Sequence, residues 1–144
     1  MTVVVVGVDE SGGARAALSW AIDQARAVGA RLVLVHAYLP VSSYYPYTVM
    51  DGVYVGEGVE EEARRIAEEV VGELRRDVPD DVAAETVLAQ GRPAEVLLDR
   101  GADADLLVVG SRGRGGFAGL LLGSVSQQVV QHAPCPVVVV PDDG

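Results

Sequence analysis

The chain has 144 residues, a formal net charge of −10 and 49% hydrophobic residues. That length suits one domain, residues 1–144, with a core of its own, and the charge argues against nucleic acid or an anionic membrane surface as its main partner. One cysteine, Cys135, excludes an internal disulfide and a cysteine-built zinc site, and no apolar run approaches the roughly 18–20 residues of a membrane-spanning helix.

In chain order, the opening run Thr2–Val8 is short, β-branched and uninterrupted, as a strand buried on both faces should be. With Met1 it is too short for a signal-peptide core and lacks a basic leader, so a cytoplasmic protein is expected. Residues 12–29 read as a helix with Ala17, Leu18, Ala21, Ile22, Ala25 and Val28 on one face, Ser11 as N-cap and Gly29 as the stop. Residues 31–38 form a second strand. Residues 39–56 are rich in Pro, Ser and Tyr and read as irregular. All five tyrosines fall in 38–54, where they either pack over the sheet edge or form a lid or partner surface. Residues 57–78 read as an amphipathic helix with Val59, Ala63, Ile66, Val70 and Leu74 inward. Glu60–Arg64 and Glu61–Arg65 stand at i,i+4. A third strand is expected over 81–89, a short helix over 92–102 with Pro93 near its start, and a fourth strand over 104–110. The last helix spans 124–133 and the last strand 136–141. Strands alternating with helices predict parallel strands under helices on both faces, a three-layer α/β sandwich. Such sheets bind ligands at the carboxyl ends of strands where the strand order reverses. Asp9 and Gly110 stand at the carboxyl ends of strands one and four.

Between the fourth strand and the last helix lies Gly110–Ser124, "GSRGRGGFAGLLLGS", with six glycines and two arginines. From Leu106 to Pro141 there is no acidic residue, so Arg112 and Arg114 give this segment +2 and the remainder −12. All eleven basic residues are arginine, which excludes a phosphate-binding lysine. An anion here must meet backbone N–H groups, hydroxyls or Arg. Glycine and serine at a helix start leave such donors aimed outward, reinforced by the helix dipole. Ser124 offers a hydroxyl, and Arg112 or Arg114 reach for outer phosphate oxygens. The plainer alternative is a merely flexible loop with Ser124 capping the helix.

The spacing Gly110-x2-Gly113-x9-Gly123-Ser124, with "VVVVGVDES", "LVHA", "GRPAEVLLDRGADADLLVVGSRG" and "LLGSVSQQVVQHAPCPVVVVP", resembles the universal stress protein family over essentially the whole chain. That spacing marks the family's ATP-binding branch. The resemblance implies an open five-stranded parallel sheet in the order 3-2-1-4-5, with ATP in the crevice between strands one and four. By position it implies Asp9 beside adenine and ribose and Ala37 presenting backbone to the adenine edge. Val109 and Val125 would be apolar and backbone contacts, and Gly110, Gly113, Gly123 and Ser124 would surround ribose and phosphates. It also implies a homodimer through the last strand, Val137, Val138, Val139 and Val140. Asp9 has a competing role as a helix cap.

The expected function is a dimeric nucleotide-dependent switch or sensor in a stress response. No general base, activated water or metal cage is evident, so hydrolysis should be slow, and Mg²⁺ would ride on the phosphates with mostly water ligands. The alternatives are a nucleotide hydrolase or AMP-forming enzyme on the same fold, and a non-nucleotide interaction module. Residues 10–18 echo the SGGxDS loop of PP-loop ATP pyrophosphatases, but Arg15-Ala16 replaces its Asp-Ser. His36 is expected to be a satisfied core histidine, His132 to sit at a helix C-terminus, and Cys135 to act as a small buried hydrophobe.

Overall fold

A computed structural model describes residues 2–9, 11–39, 49–50, 53–54, 57–112 and 122–142. The most uniformly apolar runs build its centre. β1 (Val3–Gly7) and β6 (Leu106–Gly110) lie side by side and parallel, Val4 level with Leu106 and Val6 with Val108. β2 (Arg31–Tyr38) pairs with the other edge of β1, β5 (Ala84–Gln90) with β2, and β7 (Val137–Val140) with β6, all parallel. The order β5-β2-β1-β6-β7 is the expected 3-2-1-4-5 when the five strands are numbered along the chain. Val4, Val5, Val6, Leu107 and Val108 are all buried, which is why the central strands show no polar alternation.

Helices cover both faces. On one, α1 (Gly12–Val28) and α2 (Glu57–Arg76) place Leu18, Ala21, Val71 and Leu74 in a core with Val4, Val6, Leu32 and Leu34. On the other, α3 (Pro93–Gly101) and α4 (Ser124–His132) bring Leu97 and Val129 against Val5, Val33, Val35 and Leu107. Each such side chain, fully buried, contributes roughly 1.5–3 kcal/mol. α1 begins where Ser11 Oγ accepts the Ala14 N–H at 3.1 Å, and it ends at Gly29, whose φ of 68° suits glycine. Pro93 opens α3, where its missing N–H costs nothing.

Several expectations are corrected. Val28 is 51% exposed; it is the last residue of α1, and after the Gly29 turn Ala30 takes the buried place instead. On α2 the inward row is Ala67, Val71 and Leu74, continued by Val78 beyond the helix; Val70 packs partly buried beside it as expected, while Val59 and Ile66 are 40% and 50% exposed. The two rows share Leu74, and the one leading through Val78 and Val82 towards β5 is the one the sheet covers. Arg64 also pairs with Glu68, and Arg65 with Glu62 and Glu69. Within 39–56, read as irregular, β3 (Val49–Met50) and β4 (Val53–Tyr54) pair antiparallel, Val49 opposite Tyr54 and Met50 opposite Val53. The Asp51-Gly52 pair between them is the dipeptide two-residue hairpins favour, so the signal was present. Tyr44, Tyr45 and Tyr47 lie outside the described residues, and with them the packing or lid expected of that segment. Tyr38 accepts a hydrogen bond from Arg64 at 3.3 Å.

Candidate functional site

β1 leads through α1 to β2 on one side, and β6 leads through α4 to β7 on the other. α1 lies over one face of the sheet and α4 over the opposite face, so the chain parts at the carboxyl ends of β1 and β6. A crevice opens where such connections diverge. Gly7 pairs with Val35, two residues before Asp9 and Ala37 respectively, and Val6 pairs with Val108. The register therefore brings Asp9, Ala37 and Val109–Gly110 to the same end of the sheet.

Gly110 meets α1 directly. A Cβ added at Gly110 would lie 2.7 Å from the Gly13 carbonyl oxygen, and one at Gly13 would collide with the Arg112 carbonyl oxygen. Both obstacles are backbone and cannot swing aside. Glycine at 110 is thus already required by the packing of α1 on β6, beside any part it plays toward a ligand.

Past Gly110 the two stems of the glycine loop are tied together. The Gly123 N–H donates to the Ser111 carbonyl at 2.7 Å, and Ser111 N–H donates to Val140 O at 2.8 Å. The buried Ser126 hydroxyl lies 2.9 Å from Ser111 O and 3.0 Å from Gly123 O and shares its one proton between them. Gly123 is the N-cap residue of α4, extended at φ −78° and ψ 173°, with no side-chain cap. Ser124 is exposed and begins the helix, so its hydroxyl does not cap it. Gly123's own N–H is spent on Ser111. The N–H groups of Ser124, Val125 and Ser126 have no acceptor among the described residues, as expected of a helix's first turn. Gly113 and Arg114 lie outside the described residues.

The other expected site residues divide by face. Ala37 continues the row of Val33 and Val35, and Val109 and half-buried Val125 belong to that same core beneath α3 and α4. Asp9 is half-buried and its Oδ1 accepts the Ser11 N–H at 2.7 Å. Ser11 is therefore the cap, and Asp9 steadies the residue that caps. Asp9 Oδ2 has no partner among the described residues. Arg112 is turned elsewhere: its Nη2 lies 3.8 Å from Asp142 Oδ2, and that carboxylate sits by Gly12 at the start of α1.

His36 is buried and its Nδ1–H donates to Val8 O at 2.9 Å, the satisfied core role expected of it. His132 is exposed in the last turn of α4. Cys135 is half-buried against the α3–α4 core; burial first, then the Asp105 carboxylate, pushes its thiol above the ordinary value. Among the described residues no group of His, Cys, Asp and Glu could hold a metal ion, and no helix is long and apolar enough to cross a membrane. The residues sequence reasoning missed are Gly13, Ser111 and Ser126. Ser126 was legible: it stands on the face of Val129, and a serine buried there needs a carbonyl acceptor.

Comparison with known proteins gives a family match. Residues 1–141 match the family model described as "Universal stress protein family". The "Universal stress protein in QAH/OAS sulfhydrylase 3'region" of Thermus aquaticus is 43% identical over 145 aligned positions, covering 95% of this chain and 96% of its own. A universal stress protein of Mycolicibacterium smegmatis is 38% identical, covering 95% of this chain but only 45% of its own length. The crystal structure of a universal stress protein in complex with cAMP superposes with a TM-score of 0.63 at 28% identity, over 99% of this chain and 98% of that one.

Proposed function

This chain belongs to the universal stress protein family, and we propose that it is an adenine-nucleotide-binding member that takes ATP in the crevice between β1 and β6. The observation that carries the reading is the start of α4: N–H donors without acceptors among the described residues and without a side-chain cap, inside a segment free of acidic residues. A negative charge is favoured there by the open donors and the helix dipole together. The cAMP bound by the relative at 28% identity supports an adenine nucleotide.

The residues present fit such a ligand. Ser124 and Val125 hold phosphate through their N–H groups and the Ser124 hydroxyl, with Gly123 leaving room for close approach. The open oxygen of Asp9 accepts from a ribose hydroxyl or the adenine amino group. Ala37 offers backbone to the adenine edge, and Val109 and Val125 form apolar wall. Gly110 lines the ribose and phosphates, the place that family resemblance also implies for Gly113. Arg112 joins the phosphates only by leaving Asp142. Bound ATP supplies the charge and shape that distinguish the two states of a switch, with Mg²⁺ carried on its phosphates. Asp9 stands at the nucleoside end and no acidic residue falls between Leu106 and Pro141 to act as a base by the phosphates, which supports hydrolysis that is at most slow. We further read the chain as one cytoplasmic domain that dimerises through β7, whose outer edge is a run of valines without a protecting charge.

Thermal unfolding with and without ATP and Mg²⁺ tests this. Ligand at 100 times Kd adds about 2.7 kcal/mol, or roughly 5–10 °C for a domain of this size. An unchanged transition at millimolar ATP would refute the assignment.

A further inference from the structure

We propose that Ser126 is a positioning residue for the nucleotide's phosphates, a role that rests on the nucleotide-binding reading above and that the glycine motif does not contain. Ser126 is the third residue of α4 and 2% exposed, so its side chain touches no ligand. Its hydroxyl instead joins two pieces of backbone. It lies 2.9 Å from Ser111 O at the exit of β6 and 3.0 Å from Gly123 O at the start of α4. Ser111 O also receives the Gly123 N–H at 2.7 Å, and Ser111 N–H is held by Val140 of β7 at 2.8 Å. The first turn of α4 is thereby fastened to two strands of the sheet.

The physical consequence is twofold. A helix whose N-cap is glycine, with no side-chain cap, has little of its own to fix the direction of its first N–H groups. Ser126 supplies that restraint from the buried side and leaves the outward donors of Ser124 and Val125 open. A side-chain cap at position 123 would consume such donors. The same hydroxyl shares its one proton between two carbonyl oxygens at the mouth of the site. Each of these also holds a backbone N–H, Ser111 O that of Gly123 and Gly123 O that of Gln127 at 3.0 Å, so the three donors together keep both carbonyls turned away from an anion. Donor geometry at an anion site must hold to a fraction of an ångström to keep its value.

The test compares ATP with adenosine, which has the nucleoside and lacks the phosphates, by calorimetry on the full chain. Ser126→Ala should weaken ATP binding roughly tenfold or more while leaving adenosine affinity unchanged. Ser126→Thr, which keeps the hydroxyl, should restore most of the ATP affinity. Ser126→Cys keeps the volume with only a weak donor, and carries the same comparison should the alanine variant not fold. ATP binding by the Ala and Cys variants within twofold of the parent would overturn the proposal. So would an equal loss for ATP and adenosine, which marks general disruption of the site. A parent chain that binds neither ligand would instead remove the nucleotide reading itself, and the proposal with it.

Discussion

Gly13 and Gly110 meet backbone to backbone, with the place of a Gly110 Cβ only 2.7 Å from the Gly13 carbonyl oxygen. The contact joins the first turn of α1 to the last residue of β6, the two elements that border the crevice. A glycine that motif spacing reserves for a ligand is therefore also a packing requirement of the empty protein.

Gly110→Ala should destabilise the chain by about 1–3 kcal/mol even without nucleotide, measured by urea unfolding. Gly7→Ala should cost less. Its Cβ would meet Leu97 Cδ1 at 2.8 Å, the far end of a flexible side chain. Equal costs at both positions would contradict this account of the α1–β6 contact.

Gly123→Asp should abolish the ATP-induced rise in Tm. At φ −78° and ψ 173° position 123 has ordinary extended backbone that any residue adopts, and aspartate is a good N-cap. Its carboxylate would satisfy the N–H groups of the first turn and repel phosphate. The unliganded variant should keep its unfolding midpoint or gain slightly. A variant that retains the full ATP shift would move the phosphate site away from α4.

Much of this architecture could be read from residue pattern, and the failures have physical causes. The buried strands declared themselves because parallel strands covered on both sides need only apolar residues, as in Val4–Val6 and Leu107–Val109. The strand order came from family resemblance, since pattern alone does not fix which parallel strands adjoin. The inward face of α2 was misread because two apolar rows cross at Leu74, and only the sheet's position selects Ala67 over Ile66. In the site, Gly123 and Ser124 were found by spacing; the place of Ser126 on the face of Val129 announces a buried hydroxyl, but which carbonyls it meets, those of Ser111 and Gly123, sequence does not display. Arg112 was assigned by charge alone, and its pairing with Asp142 depends on the chain passing β7 on its way there.

The exposed pair Arg26–Asp81 gives a pH dependence. The guanidinium donates to the carboxylate at 2.8 Å and holds the Asp81 carboxyl below its ordinary value, first by that hydrogen bond. A lowered folded-state value means the contribution is fully present above the unfolded value, about 3.9, and is lost as pH falls through the folded value. Asp81→Asn should therefore lower Tm slightly at pH 7 and in low salt, and the two curves should converge in acid as pH falls through the folded value. A difference that persisted in strong acid would assign the effect to something other than charge.

Light scattering at micromolar concentration should return twice the chain mass. Placing an aspartate at Val139, half-buried in the β7 edge strand, should shift the mass toward one chain. A parent that is monomeric under these conditions would contradict assembly through β7.

The most direct measurement is an amide NMR titration of the full chain with ATP. The account predicts that the largest shifts fall on Ser124, Val125 and Ser126, with a second set at Asp9 and Ala37. Shifts confined to the start of α1, or none at millimolar ATP, would contradict it.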